Sequence, residues 1–338
     1  MQEQDMKVLE KMHNAPNVHV IRPSNNNNHK NGTTAEMPLV TVVIPTYNRL
    51  SLVQQAIASV QGQSYSNWEL VVVDDGSTDG SFDAISLMVD ARIRVIRLEH
   101  TGNIAFARNI GARSGRGEWL SFLDSDDVWV PERLNLQLGR MIKEKKQWGY
   151  GGFEIMNGDM NKIPNKAGSF APISGWIAKQ VLTTEAAVSI GALMLTRKLF
   201  EEVGGFNTDP GLLYREDYDL AIRLSLRNEA LAIPDLLVRI REHRGRATNG
   251  FAYGHDRTAA VYEHFLLTNP DHELAKVARN RIATELAESS IDNIKQKEYL
   301  EAAERLQRAL IYGLGWKRFL STLRRGFSSS HADQTARN

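Results

Sequence analysis

Three groups of carboxylates in this chain stand where chemistry could be done. LDSDD at 123–127 sets Asp124 and Asp126 two positions apart, directly after an apolar run. An Asp-x-Asp pair supplies hard oxygen ligands for Mg²⁺ or Mn²⁺, and a cation so held can grip a diphosphate. The same acids could instead cap a helix starting near Pro131. VVVDDGSTDG at 71–80 ends a second apolar run on Asp74 and Asp75. A carboxylate there could accept hydrogen bonds from a nucleobase imide or a ribose hydroxyl. It could also form an Asx turn, with Ser77 or Asp79 starting the next helix. YREDYDLAIRL at 214–224 crowds Glu216, Asp217 and Asp219 into one helical turn. Acids are favoured there by the helix dipole. One of them could equally be a general base whose pKa its neighbours raise.

Cationic and aromatic side chains accompany these acids. IPTYNR (44–49) ends the first apolar run in a bend fixed by Pro45, and Tyr47 could stack on a ligand or cover the core. GNIAFARNIGA (102–112) opens a helix carrying Arg108, whose planar fork suits phosphate or base oxygens. His243 lies in EHRGRATN beside Arg241, Arg244 and Arg246, so it is either a ligand or a loop residue, and the arginines make a candidate lid. Trp176 could stack on a sugar face or pack on the core.

The elements that must position these groups follow from periodicity. LVTVVI (39–44), WELVVV (68–73), IRVIRL (93–98) and EWLSFL (118–123) read as buried strands. Helical patterns lie between them: one carries Leu52, Val53, Ala56, Ile57 and Val60, and others fall near 80–89 and 104–113. Strands alternating with helices indicate an α/β fold with a mostly parallel sheet, in which ligands sit beyond the carboxyl ends of the strands. Helices are expected at 131–146 and 215–228, and strands at 188–195 and 236–242. Residues 256–268, 271–293 and 297–312 are helical without strand signal, a C-terminal appendage.

Composition narrows the function. The chain has 338 residues, 42% apolar and 24% charged, with a net charge of +1 and no cysteine. Nothing in that balance points to nucleic acid. Disulfides and thiolate metal sites are excluded, which suits a reducing, cytoplasmic setting. No signal peptide or spanning run of about 18 apolar residues is present. Residues 1–38 are expected to be a disordered leader, and 328–338 a disordered tail. The segment 312–327 mixes Trp316, Phe319, Leu320, Leu323 and Phe327 with Lys317, Arg318, Arg324 and Arg325. It reads as an interfacial helix making peripheral contact with the inner face of a plasma membrane, or as a stripe packing on preceding helices or on a second subunit of a homo-oligomer.

The blocks VVIPTYNR, VVDDGSTD, ARNIGA, FLDSDD and VGGFNTD followed by REDYDLAIRL stand in an order that resembles bacterial family 2 glycosyltransferases of the inverting type. The resemblance implies a GT-A fold, Rossmann-like, over 39–250, with a helical region at 251–327. It implies that Pro45, Thr46, Tyr47, Asp75, Arg108, Asp124 and Glu216 line the donor pocket. Asp126 would be the principal metal ligand, with Asp124 in the metal shell and His243 completing the site. Asp217 would be the catalytic base. The cofactor is then a divalent metal, Mn²⁺ or Mg²⁺. The partners are a nucleotide-sugar donor, UDP-sugar being the family's commonest, and a glycan or lipid-linked acceptor. A competing reading is a nucleotide-sugar-binding regulator or partner subunit without turnover. A dinucleotide dehydrogenase or P-loop kinase is disfavoured, because IPTYNR stands where either would need a glycine-rich loop.

Overall fold

The computed structural model describes residues 20–21, 37–163, 172–243, 254–270 and 273–335. The chain divides into two compact units. One comprises Met1–Ile177, Ala186–Thr208 and Arg223–His243; the other comprises Ala178–Glu185, Asp209–Ile222 and Arg244–Asn338.

The first unit is built on β2 (Val40–Thr46), all of whose residues are buried. A strand apolar on both faces needs cover on both, as in parallel α/β sheets. β3 (Trp68–Asp74) and then β4 (Ile93–Arg97) add in parallel on one side of β2, and β5 (Trp119–Phe122) on the other. The crossovers carry α1 (Leu50–Gln61), α2 (Ser81–Ser86) and α3 (Ile104–Ser114). Beyond β5 come β6 (Val128–Trp129), α4 (Arg133–Lys143), β7 (Trp148–Met156), β8 (Met194–Thr196), α6 (Arg197–Glu202) and β9 (Leu231–Arg241). The nine-stranded order is β1-β4-β3-β2-β5-β8-β7-β9-β6. β8 runs antiparallel to both β5 and β7, whereas the long β7–β9 ladder is parallel, so parallel pairing predominates as expected.

Several elements differ from expectation in place or kind. β1 (Val20–Ile21), inside the segment expected to be a disordered leader, pairs antiparallel with β4; the remainder of 1–36 lies outside the described residues. β7 occupies a stretch without a clear strand signal, because Gly149, Gly151 and Gly152 dilute its pattern. The strand expected at 188–195 is a 3₁₀ turn, Ile190–Ala192, followed by β8.

Two buried features fix the layers. On α3, a Cβ added to Gly111 would collide with Val43 of β2 and Val73 of β3, so this glycine lets the helix that carries Arg108 lie directly on the strands. On α4, Arg133 is fully buried. Its guanidinium lies 3.7 Å over Trp129 and donates to Gly191 O, Ser121 Oγ and Leu193 O, which ties α4 to the 3₁₀ turn and β5. Burial pushes the Arg133 pKa down. At the amino ends of the strands, burial raises the Glu69 carboxyl, but bonds from Arg116 and Thr41 outweigh it and leave the group below its ordinary value.

The second unit is helical: α5 (Ala178–Leu182), the first turns of α7 (Glu216–Arg227), α8 (Gly254–Thr268), α9 (Ala275–Lys295), α10 (Tyr299–Ile311) and α11 (Trp316–Thr335). α11 continues past the expected boundary at 327, and side chains beyond Arg325 lie outside the description. Among the described residues no helix is long and apolar enough to cross a membrane.

The contacts of Gly111 predict that Gly111→Ala is destabilising by about 1–3 kcal/mol through overpacking against Val43 and Val73. A urea midpoint unchanged from wild type would show that the layer spacing is not set there.

Candidate active site

β2, β3 and β5 are parallel neighbours, so their carboxyl ends deliver the IPTYNR, DDGSTD and LDSDD segments to one edge of the sheet. Asp124, Asp126 and Asp127 there each offer an oxygen, all within 4.8 Å of one another. Three carboxylates so close require positive charge. Two guanidiniums supply it directly, and residues at the end of β9 add further contacts. Arg108 on α3 donates from Nη2 to Asp124 Oδ1 at 2.6 Å. Arg49, between β2 and α1, donates from Nη1 to Asp126 Oδ2 at 2.7 Å, and His243 Nε2 lies 3.0 Å from the same oxygen. Arg241, at the end of β9, donates from its backbone N–H to Asp127 Oδ1 at 2.8 Å and from Nε to Asp126 O at 3.0 Å. The Arg241 fork also reaches Gly158 O and Gln55 Oε1.

Asp124 is the most open of the three acids, while Asp126 and Asp127 are buried. Asp126 and Asp124, with Asp127 behind them, are oxygen donors of the kind a hard divalent cation prefers, so the residues present fit such an ion. His243 shares Asp126 Oδ2 with Arg49 and could add a nitrogen. Arg49 already neutralises Asp126, so a cation must compete with that guanidinium or draw it aside.

The loop segments at this edge hold one another in place. Asn48 adopts a left-handed conformation (φ 49°); its N–H donates to Ser77 Oγ at 2.9 Å and its Oδ1 accepts from Thr78 N at 2.8 Å. Asp79 accepts from Leu50 N at the start of α1 and from Ser81 N at the start of α2. Asp74 is buried beneath this turn and accepts from Ser77 N; burial pushes its carboxyl up, against those bonds and nearby Arg97. The turn reading of the DDGSTD run therefore applies to Asp74 and Asp79, but the N-cap of α2 is Gly80, not Ser77 or Asp79.

Asp75 is differently engaged. Its Oδ1 accepts from Thr101 N and Oγ1, and its Oδ2 from Gly102 N, all at 2.9 Å, so it organises the loop before α3. His100 Nδ1 lies 2.9 Å from Asp75 O. The His100 ring stacks on Tyr47, centroids 4.0 Å apart at 18°, and Tyr47 is 41% exposed. A Cβ on Gly76 would come within 2.9 Å of His100 N, which, with a φ of 80°, accounts for glycine in the DDGS turn. Thr46 is buried and its Oγ1 has no hydrogen-bond partner among the described residues. Pro45 is the penultimate residue of β2, in register with Val73.

Of the residues singled out in the sequence, Pro45, Thr46, Tyr47, Asp75, Arg108, Asp124, Asp126 and His243 all lie in the sheet unit. Glu216 and Asp217 lie in the helical unit. Arg49, His100 and Asp127 were not singled out as site residues, and Arg241, expected in a candidate lid, is buried and braces the acidic loop. Arg49 closes the IPTYNR run and was legible there as a cation; nothing in the sequence marked His100 as the partner of Tyr47. Trp176 is 63% exposed and is not a core residue. Arg244 and Arg246, the rest of the candidate lid, lie outside the described residues.

In the helical unit, Glu216 is 3% exposed, while Asp217 is partly open to solvent. The segment bearing them is gripped by α8. Arg257 Nη1 donates to Leu213 O at 2.8 Å, and Arg215 Nε donates to Thr258 Oγ1 at 2.8 Å. The Tyr218 and Tyr262 hydroxyls lie 2.8 Å apart and reach the carbonyls of Val181 and Leu182. Burial pushes both phenols up, so they stay neutral. Arg281 links Tyr262 to Glu285, and His255 Nδ1 lies 2.6 Å from Glu285, a bond that raises the His255 pKa.

Residues 41–204 match the family described as Glycosyl transferase family 2. A glucosyltransferase of Escherichia coli, UDP-Glc:alpha-D-GlcNAc-diphosphoundecaprenol beta-1,3-glucosyltransferase WfgD, is 37% identical over 119 residues, 35% of this chain and 47% of its own. The putative teichuronic acid biosynthesis glycosyltransferase TuaG of Bacillus subtilis is 37% identical over 124 residues, 36% of this chain and 49% of its own. The chain thus spans about half the length of these curated relatives. Among solved structures, the 1–349 fragment of S. aureus TarS in complex with UDP-GlcNAc superposes with a TM-score of 0.65 at 15% identity, covering 86% of this chain and 89% of that fragment. The mannosyltransferase PcManGT of Pyrobaculum calidifontis, in complex with GDP-Man and Mn²⁺, gives 0.53 at 19% identity over 88% of each chain. At those identities the likeness establishes the fold, which is GT-A.

The competition at Asp126 predicts opposite effects of two substitutions on the binding of Mn²⁺ alone, followed by electron paramagnetic resonance. Asp126→Asn should weaken it by about tenfold or more, and Arg49→Met should tighten it by removing the rival cation. Equal affinity in all three proteins would place the ion elsewhere.

Proposed function

From the match of residues 41–204 to glycosyl transferase family 2, we propose that this chain belongs to that family and transfers a sugar from a nucleotide-sugar donor to a hydroxyl of a glycan or lipid-linked acceptor, inverting the anomeric carbon. The observation that carries the reading is the Asp124–Asp126–Asp127 cluster at the carboxyl end of β5, on the same sheet edge as exposed Tyr47. Acids that hold a cation, beside an aromatic face that can take a base, suit a nucleoside diphosphate.

The donor we infer is a UDP-sugar. WfgD is named for UDP-Glc, and TarS was solved with UDP-GlcNAc, whereas PcManGT was solved with GDP-Man. Tyr47 and its stacked partner His100 would face the base, with Pro45, Thr46 and Asp75 shaping the pocket. Asp124 and Asp126 would hold the cation, with His243 as a third ligand. A divalent cation bound there would offset the charge that gathers on the departing diphosphate. Arg49, drawn off Asp126, would be released to meet phosphate oxygens with its fork.

Asp217 is the base. Of the Glu216–Asp217 pair it is the carboxylate open to solvent, which favours it over buried Glu216 for meeting an acceptor. Its carboxylate takes the proton of the acceptor hydroxyl as that oxygen attacks the anomeric carbon. The bond from that carbon to the diphosphate oxygen breaks, and its electron pair leaves with the nucleoside diphosphate. Attack from the face opposite the leaving group inverts the centre. The α8 contacts to Leu213, Arg215 and Tyr218 hold the turn that carries this base. WfgD is named for an acceptor on diphosphoundecaprenol, and a lipid-linked acceptor is the class we favour here. Trp176, exposed, is suited to stack on an acceptor sugar.

Asp217→Asn should keep UDP affinity within about twofold and lower transfer from UDP-sugars by about 10²–10⁴-fold, as for loss of a general base. Transfer measured with a lipid-linked acceptor fraction that proceeds at the wild-type rate would remove Asp217 from the mechanism.

A further inference from the structure

α11 lies against α9 within the helical unit, and it does so with its polar side. Arg318 Nη2 donates to Thr284 Oγ1 at 3.1 Å, Thr322 is buried, and Arg325 forks onto Glu288 at 3.0 and 3.3 Å. At about 100° per residue, positions 318, 322 and 325 fall on one face of a helix, and 316, 319, 320 and 323 fall on the opposite face. That opposite face is apolar. Trp316 is 67% exposed and Leu320 50%, Phe319 and Leu323 are half-buried, and Trp316 stacks on Phe319 with ring centroids 4.8 Å apart. An amphipathic helix of a globular protein turns its apolar stripe inward. This one is reversed: its polar face meets α9, and Trp316 and Leu320 of the stripe stand exposed.

The charges around the stripe indicate what it meets. Between 312 and 325 the chain has Lys317, Arg318, Arg324 and Arg325 and no acidic residue. On the helical wheel Lys317 and Arg324 stand at the margin of the apolar face, and both are exposed. An aromatic and leucine stripe edged by cations has the make-up of a helix lying in the interface of an anionic bilayer. A second copy of the chain fits less well. A two-fold contact sets the same patch against itself, which would bring the marginal cations of one copy toward those of the other.

We propose that α11 docks the chain on an anionic lipid surface. Trp316, Phe319, Leu320 and Leu323 enter the boundary between headgroups and acyl chains, and Lys317 and Arg324 meet lipid phosphates. The proposal does not depend on the transferase reading, since it concerns only the helical unit.

Co-sedimentation of the full chain with vesicles tests it. The chain should pellet with phosphatidylglycerol–phosphatidylcholine vesicles and far less with phosphatidylcholine alone, and high salt should weaken binding. The double substitution Trp316→Glu with Leu320→Glu should cut partitioning by about tenfold or more, with an unchanged thermal melt. Leu300→Glu, at an exposed leucine on α10 outside the stripe, should leave partitioning unchanged. Failure to pellet with the anionic vesicles would overturn the proposal, as would undiminished partitioning of the double variant. A wild-type dimer that the double substitution dissociates, without vesicle binding, would assign the face to a second copy instead.

Discussion

Three carboxylates held within 4.8 Å at the end of β5 are the constraint around which the sheet unit is organised. Left alone they would repel one another, and two of the three are buried, where repulsion is felt more strongly. The fold answers with partners drawn from separate parts of the chain: the guanidiniums of Arg49 after β2 and Arg108 on α3, and Arg241 with His243 at the end of β9. Each must arrive at the same edge. That requirement explains why α3 must lie close on the strands at Gly111, and why β9 runs far enough to bring residues 241–243 beside β5's loop.

The same balance gives the site its chemical character. Positive charge is already present around Asp126, on the guanidinium of Arg49 rather than on a fixed ion. In the proposed reading, a cation and a diphosphate arriving together would replace one ion pair by another: the ion would take the carboxylates, and the displaced guanidinium would be left for phosphate. Donor and cation are thereby expected to bind cooperatively, because each supplies the countercharge that the other disturbs.

Much of the sheet half was legible from residues. Four apolar runs, three of them rich in β-branched residues, separated by helical periods gave the parallel core, and the segments closing those strands marked the site edge. Asp124 and Asp126 could be named because they close a buried strand, and Arg108 because its helix opens at the same edge. β7 escaped notice because three glycines in WGYGGFEIM break its pattern, although they let it follow the register shifts against β9. Tyr47 was legible as an aromatic at the strand end, but its stacking on His100 depends on the path of the loop that Asp75 organises, which no local spacing reveals. The reversed face of α11 was illegible for a related reason: composition shows an amphipathic stripe, and only packing shows which side of it the neighbouring helix takes.

The central claim, that the acidic cluster binds a nucleoside diphosphate through a cation, is tested most directly by calorimetric titration of the chain with UDP, GDP and dTDP, with and without Mn²⁺. The account predicts tight binding of one nucleotide, UDP, that requires the ion and disappears in Asp126→Ala. Binding of none of the three in the presence of Mn²⁺, or UDP binding indifferent to both the ion and Asp126, would contradict it.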